Sequence, residues 1–211
     1  MGSGSARIGR TYSLSNDPES GVYRISVKRE PDGVVSGHLH QQVQPGTKLY
    51  ARQPAGDFHL GDHAPGERRD ASPDKLDSAD SPLLLVAAGV GITPIASMLH
   101  TIQRDSPERR VTVVHGVRDG EHQPLTRELR RVVEALPNGH LHVCFSQPSP
   151  ADRAKGEFDR AGRIDFSVLR DLDRPPDTEV FLCGPPAFAN DVSEMLEVLG
   201  TTVDRIHLET F

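Results

Sequence analysis

The chain has 211 residues, 36% hydrophobic and 5% aromatic with no Trp, enough for one large or two modest domains around a moderate core. A formal net charge of −6 argues against a nucleic-acid or anionic-membrane surface, and no apolar run approaches the roughly 20 residues that span a bilayer. The two cysteines, Cys144 and Cys183, lie in apolar runs; this predicts small buried thiols in a cytoplasmic protein, and two thiols cannot ligate an iron–sulfur cluster.

Met1–Ser5 reads as an added leader and is set aside, with no signal peptide visible. Residues 7–60 read as part of an antiparallel β unit. Tyr23, Ile25 and Val27 alternate with Arg24, Ser26 and Lys28, the pattern of a half-buried strand. After the turn Pro31-Asp32-Gly33, Ser36 is placed to cap a short helix carrying Leu39, His40 and Val43 and stopped near Gly46. Lys48 to Arg52 makes another strand, closed by Pro54-Ala55-Gly56. Three strands at most are too few to close a barrel. Residues 61–81, polar and holding Pro65 and Pro73, read as a flexible linker.

From residue 82 to 211 the pattern alternates strand and helix. The unbroken apolar run Leu83 to Ala88 fits a strand buried on both faces. Gly89 and Gly91 break it. A helix follows, with Thr93 as cap, Pro94 at its first position, and Ile95, Met98, Leu99 and Ile102 on one face. Val111 to Val114 is a second strand, and Pro124 to Leu136 a helix stopped by Pro137-Asn138-Gly139. Leu141 to Phe145 is a third strand. Ile164 to Leu172 is a short helix capped by Asp165. Val180 to Cys183 is a fourth strand, ended by Gly184-Pro185-Pro186; a helix bearing Phe188, Val192, Met195, Leu196 and Leu199 then runs to Gly200. Arg205 to Leu208 is the last strand. The expected fold is α/β: a five-stranded, doubly wound parallel sheet in order 3-2-1-4-5 that binds NAD(P), preceded by a partial antiparallel β-barrel.

That order puts the loops Gly89–Pro94 and Gly184–Pro186 at one topological switch point, where open α/β sheets bind ligands. Strand, glycine turn and helix start together aim backbone N–H groups and the positive helix end at a phosphate, so the first loop is read as a dinucleotide pyrophosphate site. A glycine kept there only for packing is the plain alternative. His38, His40, His59 and His63 lack Cys or carboxylate partners at ligand spacing, so no metal site is expected. Gly-Val-Gly-Ile-Thr lacks a hydrolase nucleophile.

Arg10-Thr11-Tyr12-Ser13, Gly89-Val90-Gly91-Ile92-Thr93-Pro94, Cys183-Gly184-Pro185-Pro186 and the end Glu209-Thr210-Phe211, taken in order, resemble the ferredoxin–NADP reductase superfamily. Gly33 to Ser36 and Pro54 to Phe58 are similar to flavohaemoglobin reductase modules, and Asn16-Asp17-Pro18 to oxygenase reductases. The C-terminal half, with His142 to Ser146 and Arg205 to His207, looks most like reductase segments of MOSC–reductase–ferredoxin fusion proteins. In such proteins the first motif lies about four strands into a flavin barrel, so the resemblance implies that earlier strands lie outside this sequence.

The resemblance implies hydride transfer from NADH or NADPH to FAD or FMN, then electron release to an iron–sulfur (ferredoxin-type) domain or a haem or oxygenase acceptor. A nucleotide-binding module without turnover, or the reductase part of a flavohaemoglobin, are the alternatives. By the resemblance, Ser13, Cys183 and Glu209 serve the chemistry. Arg10 pairs with a flavin phosphate, Tyr12 packs on the flavin, Ser36 adds phosphate contacts, and Phe211 covers the flavin until nicotinamide displaces it. Gly89, Gly91, Thr93 and Pro94 seat the nicotinamide dinucleotide's pyrophosphate, with Cys183, Gly184 and Pro185 beside the nicotinamide. Arg118, after the second strand, could meet a 2′-phosphate, but neighbouring Asp119 and Glu121 favour a free 2′-hydroxyl and tip the reading toward NADH.

Overall fold

The computed structural model describes residues 8–61 and 81–211. Strand β1 (Leu83–Ala88) lies at the heart of the molecule with almost every side chain buried. Because successive strand side chains point to opposite faces, Leu83, Leu85 and Ala87 join one core while Leu84 and Val86 join another. The first core is closed by α2 (Ile92–Asp105) and α3 (Thr126–Glu134), numbered after α1 (Val34–Gln41) in the N-terminal part. Ile95, Met98, Leu99 and Ile102 of α2 are all buried, as their spacing predicts. The second core is closed by α5 (Phe166–Asp171) and α6 (Pro186–Val198), which follow the short α4 (Pro150–Lys155). Asp165 caps α5 by accepting the Val168 N–H, as expected.

The sheet has six parallel strands, not five, in order β4-β3-β2-β1-β5-β6. The remaining strands are β2 (Val111–Val117), β3 (Gly139–Phe145), β4 (Arg160–Ala161), β5 (Glu179–Gly184) and β6 (Ile206–Thr210). The extra strand, β4, is two residues at one edge, pairing with Cys144 and Phe145 of β3. Two residues carry no readable alternation, so sequence pattern passes over them. Helix α4 also escapes periodicity, although Ser149 and Asp152 form a reciprocal capping box that its sequence displays.

Residues 8–61 depart furthest from expectation. The strands expected at Tyr23–Lys28 and Lys48–Arg52 do not form ladders. The described residues there hold one short 3₁₀ turn, helix α1 and a single antiparallel bridge, Leu14 to Ile25. Alternation chooses the faces of a strand, but a ladder also needs neighbours to take its N–H and C=O groups, and this segment has one such contact. Tyr23 and Tyr50 are exposed accordingly. Ser36 is not the helix cap either. Gly33 holds that position, and Ser36, one turn in, accepts the Glu30 N–H and donates to the Gly33 carbonyl. Most of the expected linker, and His63 with it, lies outside the described residues.

Polar contacts dock the start of this segment on the sheet domain. Arg24 forms a bidentate pair with Glu128 of α3 at 2.6 and 3.0 Å, and His100 of α2 reaches the same carboxylate at 2.7 Å. The Ser97 hydroxyl donates to the Asn16 carbonyl at 2.9 Å, and Asp17 pairs with Arg104. Burial pushes the Glu128 carboxyl up, but the hydrogen bonds from Arg24 and His100 outweigh it and hold the group below its ordinary range. A carboxyl depressed in the folded chain adds stability above its unfolded pKa and loses it as pH falls through the folded value. Acidification below about pH 4 should therefore loosen residues 13–26, read as faster amide exchange there. Glu128→Gln should loosen the same residues at neutral pH and remove the acid step.

Candidate functional site

At its carboxyl end β1 turns at Gly89, whose φ of +54° is a left-handed conformation suited to glycine. One 3₁₀ turn, Gly89–Gly91, leads straight into α2. Gly91 is the N-cap and no side chain caps the helix; Thr93 and Pro94 sit second and third within it, correcting their expected places. Pro94 costs nothing there, since first-turn N–H groups have no partner inside the helix.

The second loop meets the first through backbone. Strand β5 pairs directly with β1, Cys183 opposite Ala87. A side chain on Gly91 would run into the Cys183 carbonyl group, 2.8 Å from its carbon, and lie 3.2 Å from the Gly184 nitrogen. One on Gly184 would strike Phe188 at 2.5 Å and Ala88 at 3.1 Å. The close approach of the loops thus requires glycine at 91, where the contact is backbone, while at 184 the missing side chain makes room mainly for the Phe188 ring. By contrast, a Cβ on Gly89 would meet nothing within 4 Å, so that turn is open on its outer side.

His115 supports the turn from below. It is fully buried on β2, opposite Ala87, and lies 3.0 Å through Nε2 from the Gly89 carbonyl. A carbonyl only accepts, so Nε2 carries the proton. Burial pushes the imidazole pKa down to about 4, against the opposing effect of the Gly89 bond, and the ring is neutral at pH 7. Its Nδ1 is buried without a partner. Sequence reading missed His115, whose only signal was a polar residue inside the apolar run of β2.

Across β5, β6 brings Glu209 opposite Cys183 and Thr210 opposite Gly184. Burial raises the Glu209 pKa, and the nearby Ser13 hydroxyl partly offsets this. Burial, aided by the Glu209 charge, pushes the Cys183 thiol up to about 12. Cys183 is therefore a neutral thiol at pH 7, not a nucleophile. Ser13, Cys183 and Glu209, far apart in sequence, thus meet beside the joined loops. Pro185 caps α6 immediately beyond.

The other named residues are more dispersed. Arg10 is exposed and donates to the Gly9 carbonyl at 2.8 Å; Tyr12 is half-buried; Phe211 is 59% exposed just past β6. Among the described hydrogen bonds, none joins Arg10 or Ser36 to either glycine loop. Arg118, after β2, is held by Asp119 at 3.0 Å and by His122 at 2.8 Å. The hydrogen bond from His122, then that from Arg118, hold the Asp119 carboxyl down at about 2 despite some desolvation. Among the described residues no group of three or more His, Cys, Asp or Glu is placed to hold a metal ion, and no helix is long and apolar enough to cross a membrane.

Residues 85–194 match the family described as oxidoreductase NAD-binding domain, and residues 3–60 match the oxidoreductase FAD-binding domain. The first match alone spans more than half of the chain. The chain belongs to the FAD- and NAD-binding oxidoreductases. This oxidoreductase is 34% identical to a flavohemoprotein of Halalkalibacterium halodurans over 208 residues, covering 96% of this chain and 47% of that protein. It spans about half the length of the curated relatives it matches. The FAD/NAD-binding domain of nitric oxide dioxygenase from Vibrio cholerae superposes with a TM-score of 0.72 at 32% identity, covering 96% of this chain and 76% of that one. A flavohemoglobin from Malassezia yamatoensis, solved with bound FAD and heme, gives 0.73 at 25% identity, covering 95% and 46%. These relatives support the flavohaemoglobin side of the ferredoxin–NADP reductase resemblance.

Gly91→Ala tests the loop contact. The added methyl meets backbone, which cannot rotate away, so unfolding free energy should fall by about 1–3 kcal/mol. Gly89→Ala, which meets only open space, should cost stability through its backbone angle alone, about 1 kcal/mol. Chemical denaturation of the two variants reads both values.

Proposed function

We propose that this chain is the NAD(P)H–flavin reductase unit of an electron-transfer protein with a haem-containing acceptor. Residues 7–60 act as the flavin segment, 61–81 as a linker and 82–211 as the NAD(P)-binding domain. The observation that carries the reading is the meeting of Ser13, Cys183 and Glu209 beside the backbone contact of Gly91 with Cys183.

The residues present fit the two cofactors. The open outer side of Gly89, at the start of α2, leaves room for a pyrophosphate against backbone N–H groups and a positive helix end. The exposed Arg10 guanidinium suits a phosphate and half-buried Tyr12 offers a ring to pack on a flavin, while Ser36, buried with its hydroxyl engaged by Glu30 and Gly33, shapes the first turn of α1. When bound, the nicotinamide supplies a hydride and the flavin divides its electron pair into single electrons for the acceptor.

The chain's own groups orient, shelter and hold charge. Ser13, beside Glu209, presents a hydroxyl that would turn its one proton to the point where charge develops. Cys183, small and neutral, and Gly184 with no side chain leave space for a flat ring without adding charge. Pro185 turns the chain away into α6. Phe211, exposed at the end of β6, is free to cover a ring or swing aside. The haem acceptor is favoured over an iron–sulfur one because the relatives named above are a flavohemoprotein and a flavohemoglobin.

Purified with added FAD, the protein should be yellow and should bleach on anaerobic addition of NADH. Ser13→Ala should lower the limiting bleaching rate by about a hundredfold while NADH binding persists. A colourless protein that still binds NADH would instead make it a nucleotide-binding module.

NADH is the proposed donor. The firmly ionised Asp119 suits a ribose 2′-hydroxyl and repels a 2′-phosphate, while Arg118 is occupied by Asp119 and His122. Asp119→Asn should raise the NADPH-to-NADH preference, as a ratio of kcat/KM, by about tenfold or more.

A further inference from the structure

The orientation of one peptide in the first glycine loop is set by a buried side chain. Gly89 and Val90 are half-buried, and the peptide between them is trans. In a trans peptide the carbonyl and the N–H that follows it point in opposite directions. The Gly89 carbonyl accepts twice. The Ile92 N–H, at the start of α2, bonds to it from the helix side, and the His115 Nε2–H bonds to it at 3.0 Å from the sheet. Both draw the oxygen inward. The Val90 N–H is therefore aimed outward, away from α2 and toward the open side of Gly89. An N–H in the first turn of a helical segment has no partner inside that segment, so this one is left for a group arriving at the turn.

Packing alone does not account for His115. On β2 it lies between Ala87 of β1 and Val143 of β3, on the same face as Val111 and Val113. An apolar side chain would fill that place without loss, whereas the imidazole leaves a buried Nδ1 with no partner. An unpaired buried acceptor costs about as much as a lost hydrogen bond. Nor does the Gly89 carbonyl need the ring in order to be satisfied, since Ile92 already serves it. A side chain that burdens the fold while adding a bond the fold does not need belongs where binding sets the choice.

We propose that His115 is a positioning residue for the dinucleotide: by holding the Gly89 carbonyl inward, it fixes the Val90 N–H toward the pyrophosphate. The inference rests on the nucleotide reading above for the identity of the ligand, but the hold on the turn is a property of the chain alone. Gly89 has the widest backbone freedom of any residue type, so a turn made by it needs a second tether to keep one peptide orientation. A donor already in place binds an anion without first being ordered.

His115→Leu, close in size and without a donor, tests this against His115→Gln, whose amide nitrogen stands where Nε2 stands. In the chain as it is, NADH affinity should weaken about tenfold in His115→Leu and stay within about twofold of wild type in His115→Gln. With FAD added, the limiting rate of flavin reduction should hold within about twofold in both, because a contact made equally before and during the transfer changes binding and not the maximal rate. By NMR relaxation, the order parameter of the Val90 amide should fall from about 0.85 to below about 0.6 in His115→Leu and not in His115→Gln. The denaturation midpoint of His115→Leu should be no lower than that of wild type, whereas loss of a purely structural histidine would lower it. His115→Met, also without a donor, takes the place of His115→Leu should that variant not fold. Unmoved NADH affinity in a folded donor-less variant would overturn the proposal. So would an unmoved Val90 order parameter, a His115→Gln variant as weak as His115→Leu, or an affinity loss that comes with a lowered midpoint. A wild-type chain that binds no NADH would overturn the nucleotide reading, and the Val90 order parameter would then decide the hold on the turn by itself.

Discussion

The site depends on one close approach, that of the Gly91 backbone to the backbone of Cys183 and Gly184. Parallel pairing of β1 with β5 brings the two carboxyl ends to the same level, but pairing alone leaves room for side chains between the loops that follow. Removing the side chain at Gly91 lets the loops close on each other. Helices α2 and α6 then both start from the same edge of the sheet. The phosphate site and the flat-ring site of the nicotinamide reading both lie at that closure.

Burial gives this edge a consistent electrostatic character. His115 beneath the first loop and Cys183 in the second are both pushed toward their neutral forms, and Glu209 is raised by burial as well. A dry edge with few fixed charges makes the surviving polar contacts count for more, because each acts in a low dielectric. At the surface end of β2 the balance is opposite. There Asp119 is held firmly ionised by His122 and Arg118.

Much of the sheet domain was legible because its signals are strong and local. A six-residue apolar run bounded by Pro82 and Gly89 fits a strand buried on both faces, and the periodic face of α2 fits packing inward. The convergence of the two loops was legible too, from the alternation of elements and the switch-point rule. What was not legible depends on partners. β4 is too short to show a period, and the true N-caps, Gly91 and Gly33, offer no side-chain signal, so nearby Thr93 and Ser36 look like better candidates than they are. His115 hides in an apolar strand, where only the carbonyl it meets reveals its use. The alternation at Tyr23–Lys28 is real, but a strand pattern without neighbouring strands does not make a ladder.

That last failure bears on how the N-terminal segment is held. A segment inside a sheet is located by many backbone bonds, each modest and mutually reinforcing, so that no single side chain decides its place. Among the described residues this segment has one bridge, and a few side chains that span the gap to α2 and α3 tie it to the sheet domain. Arg24 and Glu128 are charged yet partly shielded, and such pairs hold geometry well when the fork is bidentate but lose it abruptly when either partner is removed. The N-terminal segment is therefore tied to the sheet domain by polar chemistry, and the glycine loops are joined by steric closure. The two contacts rest on different physics, so sensitivity to acid and charge substitution belongs to the first and sensitivity to added volume to the second.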